Sequence, residues 1–309
     1  MTVVVVGASG FIGSHLVDAL LARGERVVAL MHRGPGLLAE EALQASSLEL
    51  QQVDLADASA LVRSCEGADV VFHLASTSLP QSSNRDPQSD VSGNLLGTLK
   101  VLEAARICAV RRVVVVSSGG TVYGIPRQVP ITEDHPTDPV CSYGITKLAI
   151  EKYVALYRQM HHLDGVVLRV ANPYGERQRL EASQGVVPVF LGLALRDQPL
   201  EIWGDGHTVR DFLHVSDVIQ ALMLAADSNV EDEWLFNIGS GNGLSLLGLV
   251  EQLEQLLGLS LKVNHRPARS FDVPTNVLCI DRAKRFLEWQ PHVDVAEGLQ
   301  RFYSSLIND

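Results

Sequence analysis

Four consecutive valines, Val3 to Val6, run directly into Gly7-Ala-Ser-Gly10-Phe-Ile-Gly13, and an apolar helical pattern follows through His15, Leu16, Ala19 and Leu20 to Arg23-Gly24. A short β-branched run closed by glycine reads as a buried parallel strand. Three glycines at this spacing would alone mark only a turn, but between a strand and a helix they are informative. Gly7 permits the tight turn, Gly10 lets a pyrophosphate approach the backbone, and Gly13 lets helix and sheet pack closely, with phosphate at the helix N-terminus. Arg26 to Met31 supplies a second apolar strand. The first thirty residues therefore read as one βαβ unit that binds a dinucleotide.

The same rhythm continues. Strands are predicted at Leu48–Val53, Asp69–Leu74, Arg112–Ser117, Asp164–Val170 and Leu235–Ile238, with helices between most of them, including Asn94–Ala109 and Tyr143–His162. Alternating strand and helix signals predict a Rossmann-type doubly wound parallel sheet, an α/β fold. Beyond residue 172, Pro173, Gly175, Pro188, Pro199, Gly204 and Gly206 break the chain into short pieces, and further helices are expected at Leu246–Leu257 and Asp281–Glu288. We expect a cofactor domain over 1–172, to which the chain returns around 208–240. A smaller α/β C-terminal substrate lobe would comprise 173–207 and 241–309.

Composition narrows the partners. With 46% hydrophobic and 20% charged residues in 309, the chain is suited to a packed core rather than disorder. A net charge of -11 argues against nucleic acid, which needs a basic footprint, but not against a nucleotide, which needs a few N–H groups and an arginine or two. Cys65, Cys108, Cys141 and Cys279 show no metal spacing and read as free thiols, and the histidines form no ligand pattern, so no metal is expected. The N-terminal run lacks a basic flank and meets glycine too early for a signal peptide, and no apolar run approaches the ~18 residues of a membrane span. The expectation is a cytoplasmic protein that binds neither membrane nor nucleic acid.

Two local features bear on chemistry. The second strand normally ends in an acid that holds the adenosine ribose 2′-OH, but here it ends Met31-His32-Arg33. Arg33 suits a 2′-phosphate or is simply a solvated loop residue, so NAD and NADP both stay open. Further on, Tyr143-Gly-Ile-Thr-Lys147 places a phenol and an ammonium one helical turn apart. A phenol ionises near pH 10 and is a poor base unless positive charge stabilises the phenolate.

Taken together, Gly7-x-x-Gly10-x-x-Gly13, Asp54-Leu55, Ser117-Ser118-Gly-Gly-Thr-Val-Tyr123-Gly124, Tyr143-x-x-x-Lys147, Asn172-Pro173, Gly204-Asp-Gly206, Arg210-Asp-Phe-Leu-His-Val and Arg269-x-x-Asp272 resemble the extended short-chain dehydrogenases/reductases. Within them the chain is most similar to nucleotide-sugar epimerases of the UDP-glucose 4-epimerase type. The resemblance implies that Phe11 and Ile12 line the pyrophosphate turn and that Asp54 and Leu55 hold adenine, with His32 and Arg33 beside the ribose. It places Leu74, Ala75 and Ser76 beneath the cofactor, Ser117 beside it, and Asn94 and Lys147 on the ribose. Asn172, Gly185, Val186, Arg210, Arg269 and Asp272 would hold the nucleotide diphosphate of a UDP-sugar or similar substrate. Trp203 would stack on a ligand base or fill the lobe interface. Two arginines from distant segments suit a diphosphate clamp. The resemblance also implies a homodimer, formed through the apolar faces of Leu95–Leu102 and Ile145–Leu156.

One position departs from the resembled pattern. Epimerases carry a serine or threonine where Gly119 stands, to hydrogen-bond the sugar hydroxyl beside the catalytic tyrosine. The relay would then come from Thr121 or Ser118, from water, or from the tyrosine directly; Thr121 or Ser118 is the expected substitute, with Gly119 against the sugar and Ser118 supporting the loop from behind. Gly119-Gly120-Thr121 also lacks the acids by which related dehydratases and decarboxylases act. Asn276 is read as a small residue that admits a bulky sugar. The sequence thus points to a C4 epimerase that uses Tyr143 as base with NAD. The alternatives are an NADPH-dependent reductase of a 4-keto nucleotide sugar and a non-catalytic NAD(P)-binding regulatory protein.

Overall fold

The structure, a computed structural model, describes residues 1–180, 185–230, 232–268 and 273–307. Strands β1 (Thr2–Val6), β2 (Arg26–Met31), β3 (Leu48–Gln52), β4 (Val70–His73), β5 (Arg112–Ser118) and β6 (Asp164–Val170) lie within the first 170 residues. After them come β7 (Asn172–Tyr174), β8 (Leu200–Trp203), β9 (Val209–Arg210), β10 (Phe212–His214), β11 (Leu235–Ile238), β12 (Leu244–Ser245), β13 (Val263–Arg266) and β14 (Thr275–Asn276). Seven strands form one sheet in the order β11-β6-β5-β4-β1-β2-β3, every pair parallel. The strand order reverses between β1 and β4, so their crossovers leave on opposite faces and open a crevice at the carboxyl ends.

Alternate residues of β1, β2, β4, β5 and β6 enter opposite cores, which is why these strands read as largely continuous apolar runs. Val3 and Val5 pack with Leu16 and Leu20 of helix α1 (Phe11–Ala22) on one face. Val4 and Val6 pack on the other, against Leu61 and Val101. The remaining helices are α2 (Glu40–Leu43), α3 (Ala58–Cys65), α4 (Pro80–Ser83), α5 (Pro87–Asp90), α6 (Gly97–Ile107), α7 (Ser142–His161), α8 (Val186–Leu195), α9 (Val215–Asp227), α10 (Leu246–Leu257), α11 (Asp281–Phe286) and α12 (Val295–Ile307). None in the described residues is long and apolar enough to cross a membrane.

A third core, with Phe190, Leu191, Leu253 and Phe302, gathers α8, α10 and α12 over the pair β8–β13 and the three-stranded β12–β9–β14. The predicted strands and the two long helices recur within a residue or two, apart from the helix expected from Asn94. There a π-helical turn, Val91–Leu96, precedes α6. Helices α8, α9 and α12 were absent from the sequence reading.

Candidate active site

The crevice at the switch point is a cleft of about 1820 Å³. A single drug-sized ligand needs roughly 300–1,000 Å³, so the space suits two extended ligands side by side. Its floor is the glycine loop. Gly7 has φ 89, and a Cβ there would lie 2.8 Å from Ala75 N. A Cβ on Gly13 would lie 2.2 Å from Gly7 O, so α1 could not sit this close to β1 with any other residue. Gly10 caps α1 without a side-chain acceptor, and no acid occupies the first turn. Its N-terminal N–H groups therefore face the cleft as an anion site.

Phe11, Ile12, His32, Asp54, Leu55, Leu74, Ala75 and Ser76 continue the lining on this side. Arg33 does not line the main cleft but a smaller recess beside it, which it shares with His32. Asn94, expected at the ribose, lies behind the wall. Its Oδ1 accepts from Thr77 N at 2.8 Å, and its Nδ2 donates to Ser78 Oγ and Asp90 Oδ1, both at 2.8 Å. All its polar atoms are spent bracing the loop that follows β4, so it supports the cleft without lining it.

Tyr143 and Lys147 both line the cleft from the first turns of α7. Lys147 Nζ donates to Val116 O at 2.9 Å and lies 5.6 Å from the Tyr143 ring centroid. Burial pushes the Lys147 ammonium down to about 8, against the raising influence of Glu151 and Asp90. Burial also drives the Tyr143 phenol up to about 12, opposed by a hydrogen bond with Ser76. The neighbouring lysine is therefore not enough to make this phenol a base in the protein alone.

Strand parity decides the roles of the serines. Ser117 is counted among the lining residues, but its Oγ is spent on a buried bond to Glu151 Oε1 at 2.5 Å. Ser117 rather than Ser118 is thus the hydroxyl that supports the strand from behind, and Ser118 lines the cleft. Gly119 does not line it. A Cβ there would lie 2.5 Å from Leu278 Cδ1 and 3.1 Å from Arg169 O, so this position faces the core and its glycine is a packing requirement. Asn276 donates to Gly119 O at 3.0 Å and is buried off the cleft, which removes it as a gauge of sugar size. Thr121 does line the cleft, and its Oγ1 is buried without a hydrogen-bond partner.

On the lobe side lie Asn172, Gly185, Val186, Trp203 and Arg210. Arg210 is oriented by donating Nη1 to Val209 O at 2.9 Å and Val273 O at 2.7 Å. Arg269 and Asp272 lie outside the described residues. The sequence reading missed Arg177 and Arg179, which also line the cleft. Arg177 pairs with Asp18, and its Nη1 is buried without a partner. The only signal was two arginines in the run that follows Asn172-Pro173.

The profile of the NAD dependent epimerase/dehydratase family matches residues 3–239. A UDP-glucose 4-epimerase from Mycolicibacterium smegmatis is 36% identical over 304 residues, covering 97% of each chain. The crystal structure of UDP-glucose 4-epimerase with UDP-glucose from Thermotoga maritima matches with a TM-score of 0.93 at 33% identity, covering 100% of this chain and 99% of that one. UDP-glucuronic acid 4-epimerase from Bacillus cereus, in complex with UDP-glucuronic acid and NAD, matches at 0.90 with 30% identity over the same shares.

Proposed function

The chain belongs to the NAD-dependent epimerase/dehydratase family, and within that family we propose that it interconverts the C4 epimers of a UDP-hexose. It is an NAD-dependent nucleotide-sugar epimerase. The position of inversion and the sugar are the proposal. The observation that carries it is the pairing of Tyr143 and Lys147 with an acid-free segment. The acids among the described lining residues are Asp54 and Glu201, and neither belongs to the stretch 117–121. A site built to eliminate water needs an acid beside the tyrosine; one that only moves a proton and a hydride does not.

The residues present fit the cofactor: a glycine cradle that any Cβ would fill, an uncapped helix N-terminus, and a lysine buried beside the tyrosine. When bound, NAD supplies the two-electron acceptor and donor for the C4 hydrogen. The chain's part is to handle the proton and hold the sugar. Tyr143 Oη takes the proton of the sugar 4-OH and returns it when the ketone is reduced from its other face. Lys147, fixed by Val116 O, holds positive charge beside the ring and favours the phenolate. Thr121 Oγ1 is the unengaged hydroxyl that hydrogen-bonds the sugar. Asn172, Gly185, Val186, Trp203 and Arg210, with Arg269 and Asp272, hold the nucleotide diphosphate.

Exposed apolar residues of the Val91–Ile107 segment and α7 that do not line the cleft, among them Ile107, Ile145, Leu156 and Met160, support pairing of two copies of a cytoplasmic enzyme. Sedimentation analysis checks that pairing, which a monomer at micromolar concentration would exclude. The function itself is tested by supplying UDP-glucose, UDP-glucuronic acid and UDP-N-acetylglucosamine without added cofactor. One of them should equilibrate with its C4 epimer, and wild-type turnover should fall roughly 10²-fold or more in Tyr143→Phe. No epimer from any UDP-sugar would refute the reading.

A further inference from the structure

Lys147 and Glu151 lie one turn apart on the buried face of α7, and both are tied to consecutive residues of β5. Lys147 Nζ donates to Val116 O at 2.9 Å, and Ser117 Oγ donates to Glu151 Oε1 at 2.5 Å. The helix that carries Tyr143 is thereby pinned to the strand that leads into Ser118 and Thr121. Beyond Glu151 the polar chain continues. Arg169, from the neighbouring strand β6, donates Nε to Oε1 at 3.0 Å and Nη2 to Oε2 at 2.6 Å. Its Nη1 donates to Tyr123 Oη at 2.8 Å and to Glu133 O at 3.2 Å, and Tyr123 Oη donates to Asn237 Oδ1 at 2.6 Å.

Glu151 and Arg169 are both buried, and neither lines the cleft, so they bear on the chemistry only through other residues. Packing alone does not call for such a pair. Apolar residues of similar volume often serve stability as well or better, whereas removal of one partner strands a buried charge. What the pair supplies and apolar residues do not is charge in a fixed place. Of the carboxylates that favour the charged form of Lys147, Glu151 acts more strongly than Asp90 of α5. His73 of β4 also acts on the ammonium, but burial pushes its imidazole down to about 3, so it is neutral near pH 7. Tyr143, one turn back on α7, presents its ring with the centroid at 5.6 Å. Because burial already brings Lys147 down to about 8, loss of the Glu151 charge would carry it into its titration range at neutral pH.

We infer that Glu151 and Arg169 are positioning residues for the proton transfer: Glu151 places a negative charge behind the Lys147 ammonium, and Arg169 holds Glu151 there. The inference rests on the reading of Tyr143 and Lys147 as the pair that handles the proton.

The test is the pH profile of kcat/KM for the full-length enzyme with the UDP-sugar it equilibrates, together with UDP binding by calorimetry. Glu151→Gln leaves Arg169 charged without its carboxylate. It should carry the basic limb about one pH unit or more toward acid and lower kcat, with KM and UDP affinity within about twofold. Glu151→Met combined with Arg169→Met replaces the pair by apolar side chains and is expected to fold. Its limb should move in the same direction but less far, because no stranded cation remains. A limb that stays in place in either variant that binds UDP overturns the inference. Loss of UDP binding in both variants overturns it as well, since the pair would then be an element of folding alone. Lys147→Met separates the inference from the reading beneath it. If the residual activity of that variant keeps the wild-type basic limb, the limb belongs to another group, and the reading falls with the inference. If the limb vanishes there but stays in place in Glu151→Gln, the inference alone falls.

Discussion

Thr146 donates its hydroxyl to Asp90 Oδ2 at 2.8 Å, and that bond ties the helix carrying Tyr143 and Lys147 to the wall of the cleft. Ser142 donates to the same oxygen at 2.8 Å, while Ser78 and Asn94 donate to the other. Burial alone would raise this carboxyl, but the four hydrogen bonds outweigh it and hold Asp90 below the ordinary carboxylate range. The tie joins the residues flanking the tyrosine to the loop on which the cofactor would rest.

Asp90→Ala removes the acceptor shared by four donors, of which Thr146 and Asn94 are buried, and the predicted loss of stability is about 2–4 kcal/mol. Urea unfolding measures it; a loss below about 1 kcal/mol would show that the tie is slack. The pH dependence follows from the lowered value. The folded state binds this proton less tightly than the unfolded chain, so the stabilisation is full above the ordinary carboxylate range and is lost as pH falls through the lowered folded value. Wild type should therefore lose more stability than Asp90→Asn on acidification.

The two hydroxyl positions on either side of Gly119 separate cleanly. Thr121→Val keeps shape and removes the orphan hydroxyl, and should cost about 1–3 kcal/mol in the transition state, a fall of roughly 5- to 150-fold in kcat/KM. Ser117→Ala removes the donor to Glu151 instead. It should lower stability by about 1–3 kcal/mol and leave UDP affinity unchanged. Steady-state kinetics and denaturant titration on the pair would exchange these outcomes if the hydroxyl roles were reversed.

Much of this was legible in the sequence. Buried parallel strands such as β1 and β6 are runs of β-branched residues because both faces are covered, and the glycine loop announces itself by spacing. Helix α8 was not legible: Val186-Val-Pro-Val-Phe-Leu-Gly-Leu-Ala-Leu195 is apolar on nearly every side, and Pro188, tolerated in a first turn, reads as a breaker. Of the cleft-lining residues, Tyr143 and Lys147 were marked by their spacing and Thr121 only as a substitute for the hydroxyl missing at Gly119. The directions of Ser117 and Gly119 were not legible, because one residue of strand parity exchanges cleft for core. Arg177 and Arg179 reach the cleft only through the path of a loop, which no periodicity encodes.

Lys147 predicts the basic limb of the activity profile. Its ammonium is held at about 8 rather than 10.5 by burial, so kcat/KM should fall above pH 8, approaching tenfold per pH unit as the charge beside Tyr143 is lost. For stability the sign is opposite. Between about pH 8 and 10.5 the unfolded chain keeps this proton and the folded one does not, so this group's contribution to stability rises with pH. Lys147→Met should abolish that rise in denaturant titrations across the interval, and an unchanged slope would contradict the assignment.

The central claim is that C4 is oxidised and re-reduced within one bound complex, and isotope tracing tests it most directly. Whichever UDP-sugar the enzyme equilibrates, carrying deuterium at C4, is incubated with it in ordinary water, without added cofactor, and the C4 epimer is analysed by mass spectrometry and NMR. The account predicts that the epimer keeps its deuterium at C4, because the hydride returns to the carbon it left. It also predicts that Tyr143→Phe forms little epimer while still binding UDP. Replacement of the deuterium by solvent hydrogen, or turnover only when NADPH is supplied and consumed, would contradict the account.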